Sequence, residues 1–300
     1  MATNYYNVNV SIPIYKFVCP YNVNAVNLET IENQIYDLTS IPRCVEHIKF
    51  GSNFNQQIEA NVLPAELQSI IFGWKFNHPI GINVFPNELK SIVFGNNFNQ
   101  LIDTDVLPSR LQSIVFGWCF NQLIKINVLP TELQSIQFGG SFNQEIEKDV
   151  LPSELKSIQF GYNFNQPIEK GVFPTGLQSI FFGYNFNQPI EKDVLPTGLQ
   201  SIKFGCEFKC SFDNIPEKTK LYTWNILSNI IRNYTIYRFD ELTLEKYIDY
   251  KKGKKIGKIY TFVIDSNKYY MADIDITKPD INKIKIKELI NELKLELHIS

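Results

Sequence analysis

The side chains that could perform nucleophilic or metal chemistry are few and widely separated along the chain. The sequence contains 3 His, at His47, His78 and His298. Cys206 and Cys210 form one C-x-x-x-C pair with no second pair, which is a weak pattern for a zinc site. Neither set supplies a nucleophile with a base beside it or a full ligand set, so the residues indicate no catalytic or metal centre.

Acidic residues and glycine-rich motifs give the same result. Asp273 and Asp275 would share one face of a strand, but no third acid or base lies within reach in the sequence. No G-x-G-x-x-G, Walker or G-x-S-x-G motif occurs. We therefore expect a protein that is not an enzyme, with no catalytic residues, no cofactor and no bound metal.

Composition limits the kinds of partner. The net charge is −2, and the basic cluster at 251–258 lacks the interleaved aromatic residues of a stacking surface, so no nucleic acid is expected as a partner. No run approaches 18 apolar residues and the N-terminus has no signal-peptide pattern, so no membrane is expected either. Five irregularly spaced Cys favour a reducing compartment, and we predict a cytoplasmic protein that is not secreted.

A strict internal repeat dominates the sequence. Phe-Gly recurs every 22 residues, and a second Phe follows each of these Phe after four residues. A fixed period in this range is typical of stacked repeat units that contact only their neighbours. The Phe-Gly pairs begin at Phe50, Phe72, Phe94, Phe116, Phe138, Phe160, Phe182 and Phe204.

The pattern within one unit predicts its shape. Leu67, Ile70 and Phe72 form L-x-x-I-x-F, in which the last residues alternate as in a strand. Gly73 ends that strand, and the Pro-containing remainder up to Pro86 excludes a regular helix. Each unit therefore contributes one short strand and an extended or single-turn return segment, and stacked units form one parallel sheet. The Leu, Ile and both Phe columns should be buried.

A column of Asn follows the second Phe in seven of the eight units. It includes Asn55, Asn77 and Asn99 and is replaced only at Lys209. Because buried backbone groups need hydrogen-bond partners, we interpret this column as an amide ladder that bonds the loop backbone of the next turn.

These residues resemble a known repeat family. Phe164–Ile168 and Phe186–Ile190 both read F-N-Q-P-I, with Phe-Gly four residues upstream and Leu-Pro or Phe-Pro downstream. They are similar to the FNIP repeat of social amoebae and of giant viruses that infect amoebae, which is related to leucine-rich repeats. The resemblance covers residues 43–210. It implies an open, curved solenoid that recognises proteins, and a giant-virus protein would meet its partner in the host cytoplasm. Some viral relatives carry an N-terminal F-box, but residues 1–42 lack its Leu-Pro-x-Glu opening.

Function should lie where the units differ from one another. Residues facing outward from the strands vary between units, and so do the residues just past each Gly. Trp and Tyr exposed on a concave surface are common anchors of protein interfaces, although they could instead cover neighbouring turns or dock the flanking segments. The predicted partner-binding residues are Ile71, Trp74, Val93, Val115, Trp118, Tyr162, Phe181 and Tyr184.

The flanks lack the repeat. Residues 1–42 are expected to be an N-terminal cap of a strand or two and a short helix, because a solenoid exposes an apolar cross-section at its end. Residues 211–300 are expected to be a small α+β domain. Its elements are a helix through Leu221, Trp224 and Ile231, strands at 256–264 and 268–276 around a hairpin turn, and a strand at 283–287.

We therefore predict a leucine-rich-repeat-like solenoid, with eight repeats over residues 43–210, that binds a protein partner on its concave sheet face. Two alternatives remain open at this point: a substrate receptor or adaptor of a host ubiquitin ligase, and a structural, virion-associated protein. The sequence does not identify the partner.

Overall fold

The fold was determined from a computed structural model of the chain. It describes residues 6–8, 25–28, 38–205, 207–208, 210, 214–216, 218–223, 234–239, 258–265 and 268–274. The statements below refer to these residues.

Eleven strands form one parallel sheet in chain order, from β1 at one edge to β11 at the other. The strands are β1 (Tyr6–Val8), β2 (Ala25–Leu28), β3 (His47–Phe50), β4 (Ser69–Ile71), β5 (Ser91–Val93), β6 (Ser113–Val115), β7 (Ser135–Gln137), β8 (Ser157–Gln159), β9 (Ser179–Phe181), β10 (Ser201–Phe204) and β11 (Lys220–Thr223).

From β3 to β10 the sheet keeps a perfect register. Each residue pairs with the one 22 positions later, so that Ile70 faces Ile92 and Ile92 faces Ile114. The central Ile of every strand is buried, and its two neighbours are partly exposed on the opposite face. The predicted solenoid with one short parallel strand per 22-residue turn is confirmed, and the only helix in the described residues is the single 3-10 turn Leu38–Ser40.

The two Phe columns form the centre of the core. All 16 of these side chains are buried, and within a turn the two rings stack with centroids about 4 Å apart, as in Phe72 and Phe76 (4.1 Å). The burial predicted for the Leu and Ile columns is also confirmed. The sequence interpretation did not list three further buried columns on the return segments, represented by Ile80, Val84 and Phe85.

The spacing between neighbouring turns increases with distance from the sheet. Equivalent rings one turn apart are separated by 5.6 Å for Phe72 and Phe94, and by 6.0 Å for Phe76 and Phe98. On the sheet face, Tyr162 and Tyr184 are only 4.8 Å apart, which is close to the spacing of neighbouring strands. Because equivalent atoms move apart with distance from the sheet, the solenoid is curved and the sheet lies on its concave side.

Close backbone approach explains the Gly column. A Cβ built on Gly139 would overlap the carbonyl oxygen of Gly117 in the preceding turn, and the same overlap occurs at Gly161 against Gly139. Any larger residue would force the turns apart, so glycine at this position is a packing requirement.

A second column is defined by backbone conformation. The return segments contain one residue with positive φ per turn, between 61° and 88°. Asn, Asp and Gly tolerate this left-handed region, and they occupy every such position. The sequence shows this column of Asn, Asp and Gly, but the sequence analysis did not predict positive φ for it. The residues are Asn61, Asn83, Asp105, Asn127, Asp149, Gly171 and Asp193.

The sheet continues beyond both ends of the 43–210 repeat region. On the N-terminal side β2 pairs with β3 and β1 pairs with β2, and on the C-terminal side β11 pairs with β10. The division of the chain at 42/43 and 210/211 remains a prediction, as does an N-terminal cap at residues 1–42, where Leu38–Ser40 is the only described helical turn.

The prediction of a helix that includes Leu221 is wrong for the first residues of that helix. Residues Leu221–Thr223 belong to β11, because the backbone of Ser201–Phe204 offers an open sheet edge that outweighs the helical spacing; positions 224–233 lie outside the described residues. Three antiparallel strands follow, β12 (Tyr234–Phe239), β13 (Lys258–Asp265) and β14 (Lys268–Ile274), in the order β12-β14-β13. β13 and β14 overlap the strands expected at 256–264 and 268–276 and pair antiparallel. The expected strand at 283–287 lies outside the described residues, and an α+β domain at 211–300 stays a prediction.

Candidate functional site

Two rows of side chains face out from the concave side of the sheet. The sheet row is the third residue of each strand from β4 to β10, and the post-glycine row is the residue after the Gly that follows each strand from β4 to β9. Members of the sheet row are partly exposed, whereas the post-glycine row carries the most exposed aromatic side chains. The sheet row is Ile71, Val93, Val115, Gln137, Gln159, Phe181 and Lys203, and the post-glycine row is Trp74, Asn96, Trp118, Gly140, Tyr162 and Tyr184.

Backbone hydrogen bonds between turns fix the spacing of the post-glycine row. The carbonyl oxygen of Trp74 accepts a hydrogen bond from the Asn97 N–H (3.0 Å), and that of Trp118 accepts one from the Ser141 N–H (2.8 Å). The Tyr162 carbonyl accepts from the next turn in the same way. Because each member is tied to the following turn through its own peptide group, the side chains project at regular intervals from a rigid frame.

The aromatic side chains of the post-glycine row are unevenly packed. Tyr162 and Tyr184 stack at 4.8 Å with nearly parallel rings. The Trp118 ring lies directly over Gly140, where a Cβ would contact it, and approaches Tyr162 to 6.2 Å. Trp74 makes no ring contact among the described residues. Trp74 is 59% exposed and Trp118 is 51% exposed, which is unusual for tryptophan.

An open groove of about 570 Å³ runs along this face. It extends from Lys49 in β3 to Tyr162, and its walls include Trp74, Trp118 and Asn96. Lys49 is the only charged side chain that lines it, and no carboxylate does. The groove is therefore long, shallow and close to neutral, with aromatic walls.

The structure brings five of the eight predicted residues together and leaves three outside the groove. The three residues outside the groove lie on the same concave face. The ammonium group of Lys203 lies over the Phe181 ring, 4.4 Å from its centre. Sequence reasoning did not assign the polar members Asn96, Gln137 and Gln159 to the site, although their variation between units was the available signal. The groove includes Ile71, Trp74, Val115, Trp118 and Tyr162, and excludes Val93, Phe181 and Tyr184.

The predicted amide ladder is confirmed and lies beside this face. The side-chain oxygen Oδ1 of Asn99 accepts a hydrogen bond from the backbone N–H of Asn121 at 2.9 Å, and the same bond repeats between Asn121 and Asn143. Gln122 adds a second link by donating from Nε2 to the Asn99 carbonyl. The ladder satisfies loop backbone groups between turns, so these residues belong to the scaffold.

The residues first considered for chemistry belong to the scaffold as well. His78 occupies a Gln position of the ladder, and its Nε2 lies 3.1 Å from the Asn55 carbonyl oxygen, as interpreted from the repeat. Cys210 also occupies a Gln position, and its thiol donates to the Asn187 carbonyl (3.6 Å). Burial raises the pKa of the Cys210 thiol, which disfavours the thiolate needed to bind a metal. Cys206 and His298 lie outside the described residues.

The described residues contain neither a metal-binding cluster nor a membrane-spanning helix. No group of three or more His, Cys, Asp or Glu side chains is arranged to hold a metal ion. Among the same residues, no helix has the length and apolar character needed to cross a membrane.

Comparison with protein-family models identifies the repeat. The FNIP Repeat model matches four consecutive segments, residues 33–75, 76–119, 120–163 and 164–207, which together make up more than half of the chain. The chain belongs to the FNIP-repeat family. Each matched segment spans two 22-residue turns, and the first begins before the first Phe-Gly pair, within the stretch that precedes β3. No curated protein matches the FNIP-repeat chain significantly.

A solved structure supports the leucine-rich-repeat relationship. The crystal structure of the giant-virus protein CroV588, described as a novel circular LRR protein structure, is 38% identical with a TM-score of 0.55. The similarity covers 66% of this chain and 32% of CroV588, so the match spans about a third of that protein's length.

Proposed function

We propose that this FNIP-repeat protein is a non-enzymatic interaction scaffold that binds a protein partner on its concave face. The observation that carries the proposal is the exposure of Trp74 and Trp118 at 59% and 51%. In a chain whose 16 repeated Phe are all buried, two half-exposed tryptophans in one neutral groove are anomalous for packing. Tryptophan and tyrosine are enriched among the residues that carry most of the binding energy in protein interfaces.

The rigid frame supports the same function. Each post-glycine residue is held by a hydrogen bond from the next turn, so the aromatic side chains are presented with little backbone freedom to lose on binding. The predicted contact residues are those of the groove, with Val93, Phe181 and Tyr184 extending the surface along the same two rows. We include these three in the proposal because they lie on the same face.

The test is affinity capture with the full-length chain and two double variants. Trp74→Ala with Trp118→Ala removes the tryptophans of the groove. Leu101→Ala with Leu123→Ala removes two comparably exposed apolar side chains (43% and 41%) from the return segments. We expect one partner to be retained by the wild type and the Leu variant and lost by the Trp variant. All three should unfold within about 1 kcal/mol of each other, as expected for exposed substitutions.

The outcomes also separate the alternatives. Equal loss of the partner from both double variants, or its retention by both, would contradict binding on the concave face. Trp-dependent recovery of ubiquitin-ligase subunits would identify a substrate receptor in the host cytoplasm, and Trp-dependent recovery of capsid proteins would favour a virion-associated role. A partner outside both classes would support a dedicated interaction scaffold.

A further inference from the structure

The exposed large apolar side chains of the described residues fall into two groups. Four belong to the post-glycine row, and the other four lie on the return segments of three consecutive turns. The second group consists of Ile82, Leu101, Leu123 and Ile126. None of these four residues lines the concave groove, so they belong to a separate surface of the solenoid.

The chain around the two leucines alternates between the surface and the core. Leu101 and Asp103 are exposed on either side of the buried Ile102. One turn later, Leu123 and Lys125 flank a buried Ile in the same way. Because alternate residues of an extended segment point to the same side, these four exposed side chains share one face. We call them the return patch.

The return patch is compact. The rings of Phe98 and Phe120, which precede the two leucines by three residues, are 6.1 Å apart. Two residues of an extended chain span at most about 7 Å. The patch is therefore a rectangle of about 6 by 7 Å, with two leucines along one side and an acid and a base along the other.

The other turns carry different residues at the two positions of the patch. Among the seven described turns between residues 57 and 191, only these two have Leu at the first position, and Lys125 is the only cation at the second. The other turns have Gln, Glu or Pro at the first position and Glu or Gly at the second. Packing of the repeat therefore requires neither the leucines nor the lysine.

A twofold axis between these two turns makes the patch complementary to itself. If two copies face each other with their turns running in opposite directions, Leu101 of one copy lies against Leu123 of the other. The same axis places Asp103 opposite Lys125, and each contact occurs twice. An axis through either turn would instead bring two Asp103 or two Lys125 side chains together. With the turns running in the same direction, each leucine would face a charged residue.

We infer that two copies of the chain associate through the return patch, about a twofold axis between the turn of Leu101 and the turn of Leu123. The inference is carried by the self-complementary charges beside the exposed leucines. Within the described part of the chain, Asp103 and Lys125 take part in no ion pair, so both can pair with a second copy. The inference is independent of the proposed function. A dimer of this kind would present two free concave faces and could hold two partners at once.

The interface is small, so the association should be weak. The axis also places Ile126 opposite Thr104 of the other copy, which adds one apolar contact on each side. A stable interface buries about 800 Å² on each partner, and two leucines with their flanking residues supply less than that. We therefore expect a dimer that forms at about 100 µM protein and dissociates at about 1 µM.

The test is sedimentation velocity of the full-length chain at these two concentrations, with charge-reversal variants. Lys125→Asp and Asp103→Lys each place like charges opposite each other at both ion pairs. We expect each variant alone to dimerise at least about tenfold more weakly than the wild type. An equimolar mixture of the two variants should dimerise about as well as the wild type, because opposite charges then face each other across the two chains. The double variant with both changes should dimerise as well.

Two further variants separate the patch from general effects. Glu169→Lys changes the charge as Asp103→Lys does, at the equivalent position three turns away, and should leave dimerisation unchanged. Leu101→Ala with Leu123→Ala removes the apolar half of the patch and should weaken the dimer at least about tenfold. Urea unfolding of each variant checks that its fold is retained. Because the dimer is weak, capture of a concave-face partner by dilute protein should not require the leucines.

Three results would overturn the inference: a wild-type chain that stays monomeric at about 100 µM, a mixture of the two variants that stays monomeric, or a dimer that Glu169→Lys weakens as much as Asp103→Lys does. None of them bears on the proposed function, whose test depends on Trp74 and Trp118. Loss of capture specificity with intact dimerisation would contradict the concave face alone.

Discussion

Replacement of Gly139 by alanine should be among the most destabilising single methyl additions in the solenoid. The new Cβ would overlap the carbonyl oxygen of Gly117, and the neighbouring turns would have to separate to relieve the clash. Two hydrogen bonds of 2.8 Å cross this junction, from the Phe116 N–H to the Gln137 carbonyl and from the Ser141 N–H to the preceding turn.

The size of the effect follows from those groups. A buried polar group left without its partner costs about 1–3 kcal/mol, so loss of both bonds gives about 2–6 kcal/mol. The stacked Phe rings beside the junction would also separate. We expect a loss within this range of about 2–6 kcal/mol, whose upper part is exceptional for a single substitution.

The matched control is Gly81→Ala. Gly81 lies on a return segment, and its nearest neighbour to a new Cβ is a Val84 methyl group at 4.0 Å, an ordinary contact. This variant should unfold within about 0.5 kcal/mol of the wild type, or be slightly stabilised through its less flexible unfolded chain.

Urea unfolding followed by circular dichroism measures both variants. Because repeat proteins can unfold in parts, hydrogen exchange of the amides near Gly139 should be measured in parallel. Equal midpoints for Gly139→Ala and Gly81→Ala, with unchanged protection of the junction, would refute the argument that close approach of the turns requires glycine.

Two further predictions concern the scaffold beside the site. Asn143→Ala should cost about 1–3 kcal/mol in urea unfolding, because the Asn165 N–H loses its 2.9 Å acceptor, whereas Asn143→Asp keeps an acceptor and should cost less; equal losses would argue against the ladder bond. Asp149→Val should cost about 1–3 kcal/mol because Asp149 has φ of 67°, which a β-branched residue strongly resists. Asp149→Gly should be close to neutral by the same measurement, since Gly171 occupies the equivalent position, and a neutral valine variant would contradict the conformational argument.

Much of the fold was predictable because each turn repeats the same local information. The Phe-Gly spacing determined the unit length, and the alternation at Leu67, Ile70 and Phe72 determined which residues are buried. The Asn column was interpretable because a buried loop backbone must find partners at every turn. Outside the repeat, Leu221 shows the limit of local spacing, since an available sheet edge drew its segment into a strand.

The sequence alone determined the period, the parallel sheet, the buried columns and the row of exposed aromatic residues, since these depend on residue type and interval. Only the tertiary structure decided the curvature and the packing of the Trp118 ring over Gly140 and towards Tyr162. These features depend on distances between turns that are adjacent in space but 22 or 44 residues apart in the chain. The orientation of an exposed ring depends on the side chains of the neighbouring turns, and these come together only when the turns stack.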